Sequence, residues 1–188
     1  MESEVREVLS KKKIAVLIAS ALSAIYLVFP FSSPVNAAPC VQVKPTGKTV
    51  GQIQVGSINM PIKSFNYPAG GIMEPQKSVQ MAALSQRHMP LNSTMGTSVL
   101  VWHVDYAGCS NPLNVLTKMT KGYVFKIKDE SGRVISYRIT TKVQVKKGDY
   151  KESWFNLIGP RQLLLATCGG SFKNGHYQDN VVLIAKPV

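Results

Sequence analysis

Three short stretches of this 188-residue chain hold side chains able to do covalent or proton-transfer chemistry. The first is Leu165-Ala166-Thr167-Cys168-Gly169-Gly170, a thiol at the end of an apolar run with two glycines after it. A thiolate is a strong nucleophile. Glycines behind it let the backbone turn tightly and leave N–H groups free to face a ligand. The competing reading is a buried structural cysteine. The second is Trp102-His103-Val104-Asp105, at the end of another apolar run. Histidine takes and gives protons near neutrality. Alone at a strand end it is usually structural, but a single thiol with a distant histidine is a pattern for a cysteine nucleophile. That reading requires the two strands to lie side by side with their ends level. The third is Gly175-His176-Tyr177-Gln178-Asp179-Asn180, whose Asn180 lies twelve residues after Cys168. A hairpin would bring its polar side chains beside the thiol; an ordinary polar turn is the alternative.

The elements that must position these groups read as mostly β. Short β-rich runs recur between Gly, Pro, Asn and Asp. Val50 to Val55 and Ile58 to Ile62 are the first two strands, with Gly56-Ser57 between them. Ser98 to Val104 is a continuous apolar run, as in a strand buried on both faces. Tyr123 to Lys128 alternates, and Glu130-Ser131-Gly132 turns it into Val134 to Val145. Leu163 to Thr167 and Asn180 to Ala185 complete the set. Helical signals are short, at Pro75 to Gln86 and Pro112 to Met119. Seven or eight strands in one domain suit a closed barrel or sandwich.

Residues 1–37 read differently. Lys11, Lys12 and Lys13 precede an uncharged, largely apolar run, Ile14 to Phe31, and a small-residue stretch with Val35 and Ala37 follows. That order is an export signal, with cleavage after Ala37. The run also has the length of a membrane span, so an uncleaved anchor through residues 14–31 is the alternative. Either places residues 38–188 outside the cytoplasm, with 38–48 as a linker and 49–188 as the folded domain. Pro39 before Cys40 argues against lipidation.

Composition sets further limits. The chain is 45% hydrophobic and 17% charged, which excludes a wholly disordered polymer. Its net charge is +12, with 22 basic and 10 acidic residues. Such charge on an exported domain suits an anionic cell envelope. Export argues against a nucleic-acid partner, and no clustered basic-aromatic groove is evident. Lys142, Lys146, Lys147 and Lys151 form the densest basic group and read as a solvated edge. No metal-ligand spacing appears among the His and Cys residues, and no cofactor is expected.

Leu163 to Val188 resembles the C-terminal part of a sortase, where a strand ending in T-x-T-C or a near variant precedes a loop and a last strand. The C-G-G-x-F…G-x-Y-x-D-N-V-V form is most similar to the actinobacterial class F branch. His103 in His-Val-Asp and Ile58 to Ser78, similar to an I-x-x-P-I…G-x-M-x-P opening, follow the same order. The resemblance covers roughly Val50 to Val188. It implies a closed eight-stranded β-barrel with short helices. It also implies a cysteine transpeptidase that cleaves an LPXTG-like sorting signal and hands the acyl group to an amine of a cell-wall precursor or a pilin. The surface proteins bearing that signal would be its partners. Cys168 is then the nucleophile and His103 the acid and base. The family's usual arginine at the start of the last strand is replaced by Asn180. Asn180 then supplies an oxyanion hydrogen bond, or another cation reaches in, with Arg161 and Arg138 as candidates. A hydrolase on the same nucleophile and a catalytically weak barrel that binds wall peptides are the competing functions.

Two cysteines lie outside this scheme. Cys40 and Cys109 either form a disulfide, leaving Cys168 as the free thiol, or remain independent.

Overall fold

The computed structural model describes residues 39–67 and 73–188. The signal or anchor region of residues 1–37 lies outside the described residues. The described residues form ten strands: β1 (Thr49–Val55), β2 (Ile58–Phe65), β3 (Ala82–Ser85), β4 (Thr97–Trp102), β5 (Asp105–Tyr106), β6 (Cys109–Ser110), β7 (Val124–Asp129), β8 (Val134–Lys146), β9 (Gln162–Lys173) and β10 (His176–Pro187). A 3-10 turn at Pro112–Asn114 leads into the short helix α1 (Val115–Lys118), and a second 3-10 turn spans Glu152–Phe155.

Eight strands close into a barrel in the order β1-β2-β3-β4-β9-β10-β8-β7, and β5-β6 form a separate ribbon. Two contacts are parallel, β2 with β3 and β4 with β9; the others in the barrel are antiparallel. The strand pattern follows burial. In β7 the residues Phe125, Ile127 and Asp129 are buried while Val124, Lys126 and Lys128 are exposed, the alternation of a sheet with one wet face. Every residue of β4 is buried, because it has apolar material on both sides. Ile53, Ile62, Leu100, Trp102, Ile127, Leu163, Leu165 and Leu183 fill the barrel. The alternate residues Val99, Val101, Leu164, Ala166, Val182 and Ile184 form a second core on the outside, covered by Phe65, Met73, Trp154 and Phe155.

The expected short helix within Pro75–Gln86 is absent; its second half is β3. All four residues of β3 are buried, wedged between β2 and β4. A strand covered on both faces loses its period-two signature. The expected strands Leu163–Thr167 and Asn180–Ala185 are each part of a longer strand, the first wholly buried and the second buried from Val182 on.

Candidate active site

Cys168 is the residue at which β9 emerges from the core. Leu164 and Ala166 belong to the outer apolar cluster, and Leu163 and Leu165 to the barrel interior. Side chains alternate along a strand, so Cys168 continues the outer row and is partly exposed. The strand does not turn after the thiol, as two glycines would suggest, but runs on to Lys173. The turn comes at Asn174-Gly175, both with positive φ, at 51° and 79°, the geometry of a two-residue hairpin. The two glycines have a packing reason instead. A Cβ on Gly169 would sit 2.7 Å from Val181 Cγ2. One on Gly170, at φ +74°, would sit 2.3 Å from Asp179 Oδ2.

His103 comes from the parallel neighbour. The β4–β9 ladder ends with Trp102 opposite Thr167, so His103 and Cys168 are the next residues on adjacent chains running the same way. Thr167 Oγ1 donates to the Trp102 carbonyl at 2.7 Å and ties the two ends together. His103 Nε2 lies 3.1 Å from the Pro75 carbonyl. A carbonyl only accepts, so Nε2 carries the proton of that bond and Nδ1 is left for exchange. The ring packs 6.0 Å from that of Tyr106, on the β5-β6 ribbon. Cys109 of that ribbon is disulfide-bonded to Cys40, and Cys168 is the free cysteine. The bridge pins the chain at Cys40 against the loop after His103, reinforced by Val41 N–H donating to the Ala107 carbonyl at 3.1 Å.

Asn180 stands directly opposite Cys168 in the β9–β10 ladder. Its Nδ2 donates to Tyr150 Oη at 2.6 Å, and the Tyr150 ring meets Phe155 edge-on at 5.9 Å. Its neighbour Asp179 points to the other face. There Lys146 Nζ donates to Oδ1 at 2.6 Å and Gln144 Nε2 to Oδ2 at 2.7 Å. A cleft of about 470 Å3 opens beside the thiol, lined by Val104, Thr117, Gln144, Gly169, Gly170 and Val181.

The two arginines do not reach this place. Arg161 precedes Cys168 by seven residues, roughly 20 Å along an extended strand. It donates to the Leu91 carbonyl and stacks 5.6 Å over the Tyr137 ring. Arg138 pairs with Lys186, six residues beyond Asn180 on β10, and is likewise roughly 20 Å away. The cation on the same side is Lys147, just past the end of β8, whose charge favours the Cys168 thiolate. It belongs to the lysine group that the sequence presents as a solvated edge. Tyr150 is a second site residue without a sequence signal. Both come to this side of the barrel only because β8 pairs with β10, and no local motif records that.

Burial pushes the Cys168 thiol above its ordinary pKa. The Lys147 ammonium works against this, while the carboxylates of Asp105 and Glu74 add to it. Tyr177 Oη donates to Asp105 Oδ2, and chiefly for that reason its pKa is pushed up to about 12. The bond links the β9–β10 hairpin to the His103 loop. Burial raises Tyr150 too, and negative charge on Cys168 raises it further. Among the described residues no group of three His, Cys, Asp or Glu side chains stands together as a metal site.

The chain is similar to known proteins over this same region. A family model described as the Sortase domain matches residues 53–188. Sortase C-1 from Actinomyces oris superimposes with a TM-score of 0.60 at 17% identity, over 75% of this chain and 75% of that one. Sortase C from Streptococcus pneumoniae gives 0.60 at 17%, over 77% and 68%. Sortase A from Corynebacterium diphtheriae gives 0.59 at 14%, over 77% and 63%. No curated protein sequence matches.

Proposed function

Because the chain belongs to the sortase family of cysteine transpeptidases, we propose that it cleaves an LPXTG-like sorting signal and transfers the acyl fragment to an amine of a cell-wall precursor or a pilin. Cys168 sulfur, as thiolate, attacks the Thr–Gly carbonyl carbon. A C–S bond forms, and the carbonyl π pair moves to oxygen. The oxyanion then collapses and the C–N bond breaks. The leaving amine takes its proton from the His103 imidazolium, and the thioacyl enzyme remains. An incoming amine loses a proton to His103, attacks the thioester and returns Cys168 as thiolate. Asn180 and N–H groups near Cys168 face the oxyanion in both halves. Residues 1–37 export the chain and either leave as a signal peptide or stay as an anchor through residues 14–31. The domain then acts at the cell envelope.

The observation that carries this reading is the parallel β4–β9 register, which sets His103 and Cys168 side by side at one barrel end. Transfer rather than hydrolysis is tested by incubating the protein with an LPXTG peptide, with and without an amine. The expected product with amine is the amide. Free acid alone, despite abundant amine, would overturn transfer and leave a hydrolase.

A further inference from the structure

The negative charge of this chemistry needs a positive partner, and Asn180 is neutral. Its Nδ2 is moreover engaged with Tyr150 Oη at 2.6 Å. The register across three strands points to another residue. Val145 of β8 is opposite Asn180 of β10, which is opposite Cys168 of β9. Cross-strand partners share a face and alternate residues return to it. Val145, Asn180, Cys168 and Lys147 therefore project from the same outer surface. The Lys147 N–H reaches the Gln178 carbonyl at 3.5 Å, which carries β8 one step past its last paired residue. From there the four-carbon stem can carry the ammonium toward Cys168 on the same face, and its positive charge favours the Cys168 thiolate. Two neighbouring lysines are engaged elsewhere. Lys146, on the opposite face, is paired with Asp179, and Lys142 donates to the Met119 carbonyl at 3.2 Å.

We propose that Lys147 is the catalytic cation of this site, holding the negative charge first on the Cys168 sulfur and then on the substrate oxygen. This role rests on the transpeptidase reading above. When the C–S bond forms, the charge moves two bonds, from sulfur to the former carbonyl oxygen, and the flexible ammonium follows it. When the oxyanion collapses, the same ammonium meets the thiolate released in the second half. The carboxylates of Glu74 and Asp105 lie toward the His103 side: Glu74 precedes Pro75, which accepts from His103, and Asp105 follows His103 by two residues. Both oppose a thiolate, and the Lys147 charge offsets them.

The test uses the full exported domain with its Cys40–Cys109 bridge intact, so that Cys168 is the thiol read out. Iodoacetamide alkylation is followed against pH for the parent, Lys147→Met and Lys147→Arg. Lys147→Met is expected to move the midpoint upward by about 0.5–1 pH unit, a modest shift because the ammonium is exposed. It should also lower kcat/KM on an LPXTG peptide by about 10²-fold, chiefly in kcat. Lys147→Arg should keep the parent midpoint and restore most of the rate, since it keeps the charge. An unchanged midpoint and unchanged kcat/KM in Lys147→Met would overturn the proposal. A shifted midpoint in a parent that cleaves no LPXTG peptide would overturn the transpeptidase reading instead, and leave Lys147 as the partner of the thiolate. Lys147 is exposed, so its variants should fold; superimposable circular dichroism and melting curves verify this.

Discussion

His103 and Cys168 each stand one residue beyond the last rung of the parallel β4–β9 ladder, where Trp102 faces Thr167. Parallel strands put both chain directions out of the same barrel end. Two residues separated by 65 positions thus become neighbours without a loop to carry either. The placement is rigid, because every residue of β4 and the stretch Leu163–Thr167 are buried. Groups anchored at the ends of strands in a packed core keep a fixed alignment with each other.

Asn180 is the next residue to probe. Removing a single oxyanion donor typically costs about 10²–10³ in rate. Asn180→Ala should therefore lower kcat on an LPXTG peptide by about 10²-fold. Asn180→Asp, equal in size but negative, should lower it further and slow alkylation of Cys168. Tyr150→Phe should cost less than either, since it removes only the hydroxyl that orients Asn180. Steady-state kinetics order the three; equal activity in Asn180→Asp would remove Asn180 from the site.

Gly170 is predicted to reject any side chain. Its φ is +74° and a Cβ would meet Asp179 Oδ2 at 2.3 Å. Gly170→Ala should destabilise by about 2–4 kcal/mol, combining left-handed strain with overpacking. Because Asp179 shares its carboxylate with Lys146 and Gln144, activity should fall as well. Urea unfolding and peptide turnover measure the two losses; Gly175→Ala, which meets open space at its own positive φ, should spare activity.

Acid stability should depend on two aspartates. Asp179 is held below the ordinary carboxylate pKa, chiefly by the Lys146 bond and then by Gln144. Burial works to raise Asp129, but hydrogen bonds from Ser131 and Arg133 outweigh it and hold it low. A folded pKa below the unfolded value, about 3.9, adds stability that is complete above that value. It is lost as pH falls through the folded pKa. Urea midpoints should therefore drop below about pH 4, and Asp129→Asn with Asp179→Asn should flatten that slope.

The Cys40–Cys109 bridge closes a sequence separation of 69 residues. The chain-entropy model assigns such a loop about 4 kcal/mol as an upper figure. Cys40→Ser with Cys109→Ser should lower the melting temperature accordingly. Activity should fall too, because the bridge steadies the loop after His103. Thiol titration of the denatured parent should give one reactive group before reduction and three after it.

Several of these features were legible in the sequence for a physical reason. The β7–β8 hairpin has one wet face, so its alternation and turn residues are written into the chain. The run Ser98–Val104 announces a buried strand, and Cys168 and His103 are marked by residue type at apolar strand ends. Ala82–Ser85 was not legible, because a strand buried on both faces has no period to read. The outward half of the β9–β10 hairpin is polar and Gly-containing. Its pairing is held by the Asn174-Gly175 turn and by packing of Asp179 over Gly170. Lys147 and Tyr150 carry no local signal at all: they enter the site through the β8–β10 ladder, whose partners lie more than thirty residues apart.

The central claim is covalent catalysis on Cys168, and intact-protein mass spectrometry tests it most directly. The protein is mixed with an LPXTG peptide and quenched in acid within its first turnovers. The predicted result is a mass increase equal to the peptide acyl fragment ending at threonine. That fragment should map to Cys168, vanish on addition of an amine, and be absent from Cys168→Ala. Peptide cleavage by Cys168→Ala at the parent rate, or an adduct mapping to another residue, would contradict it.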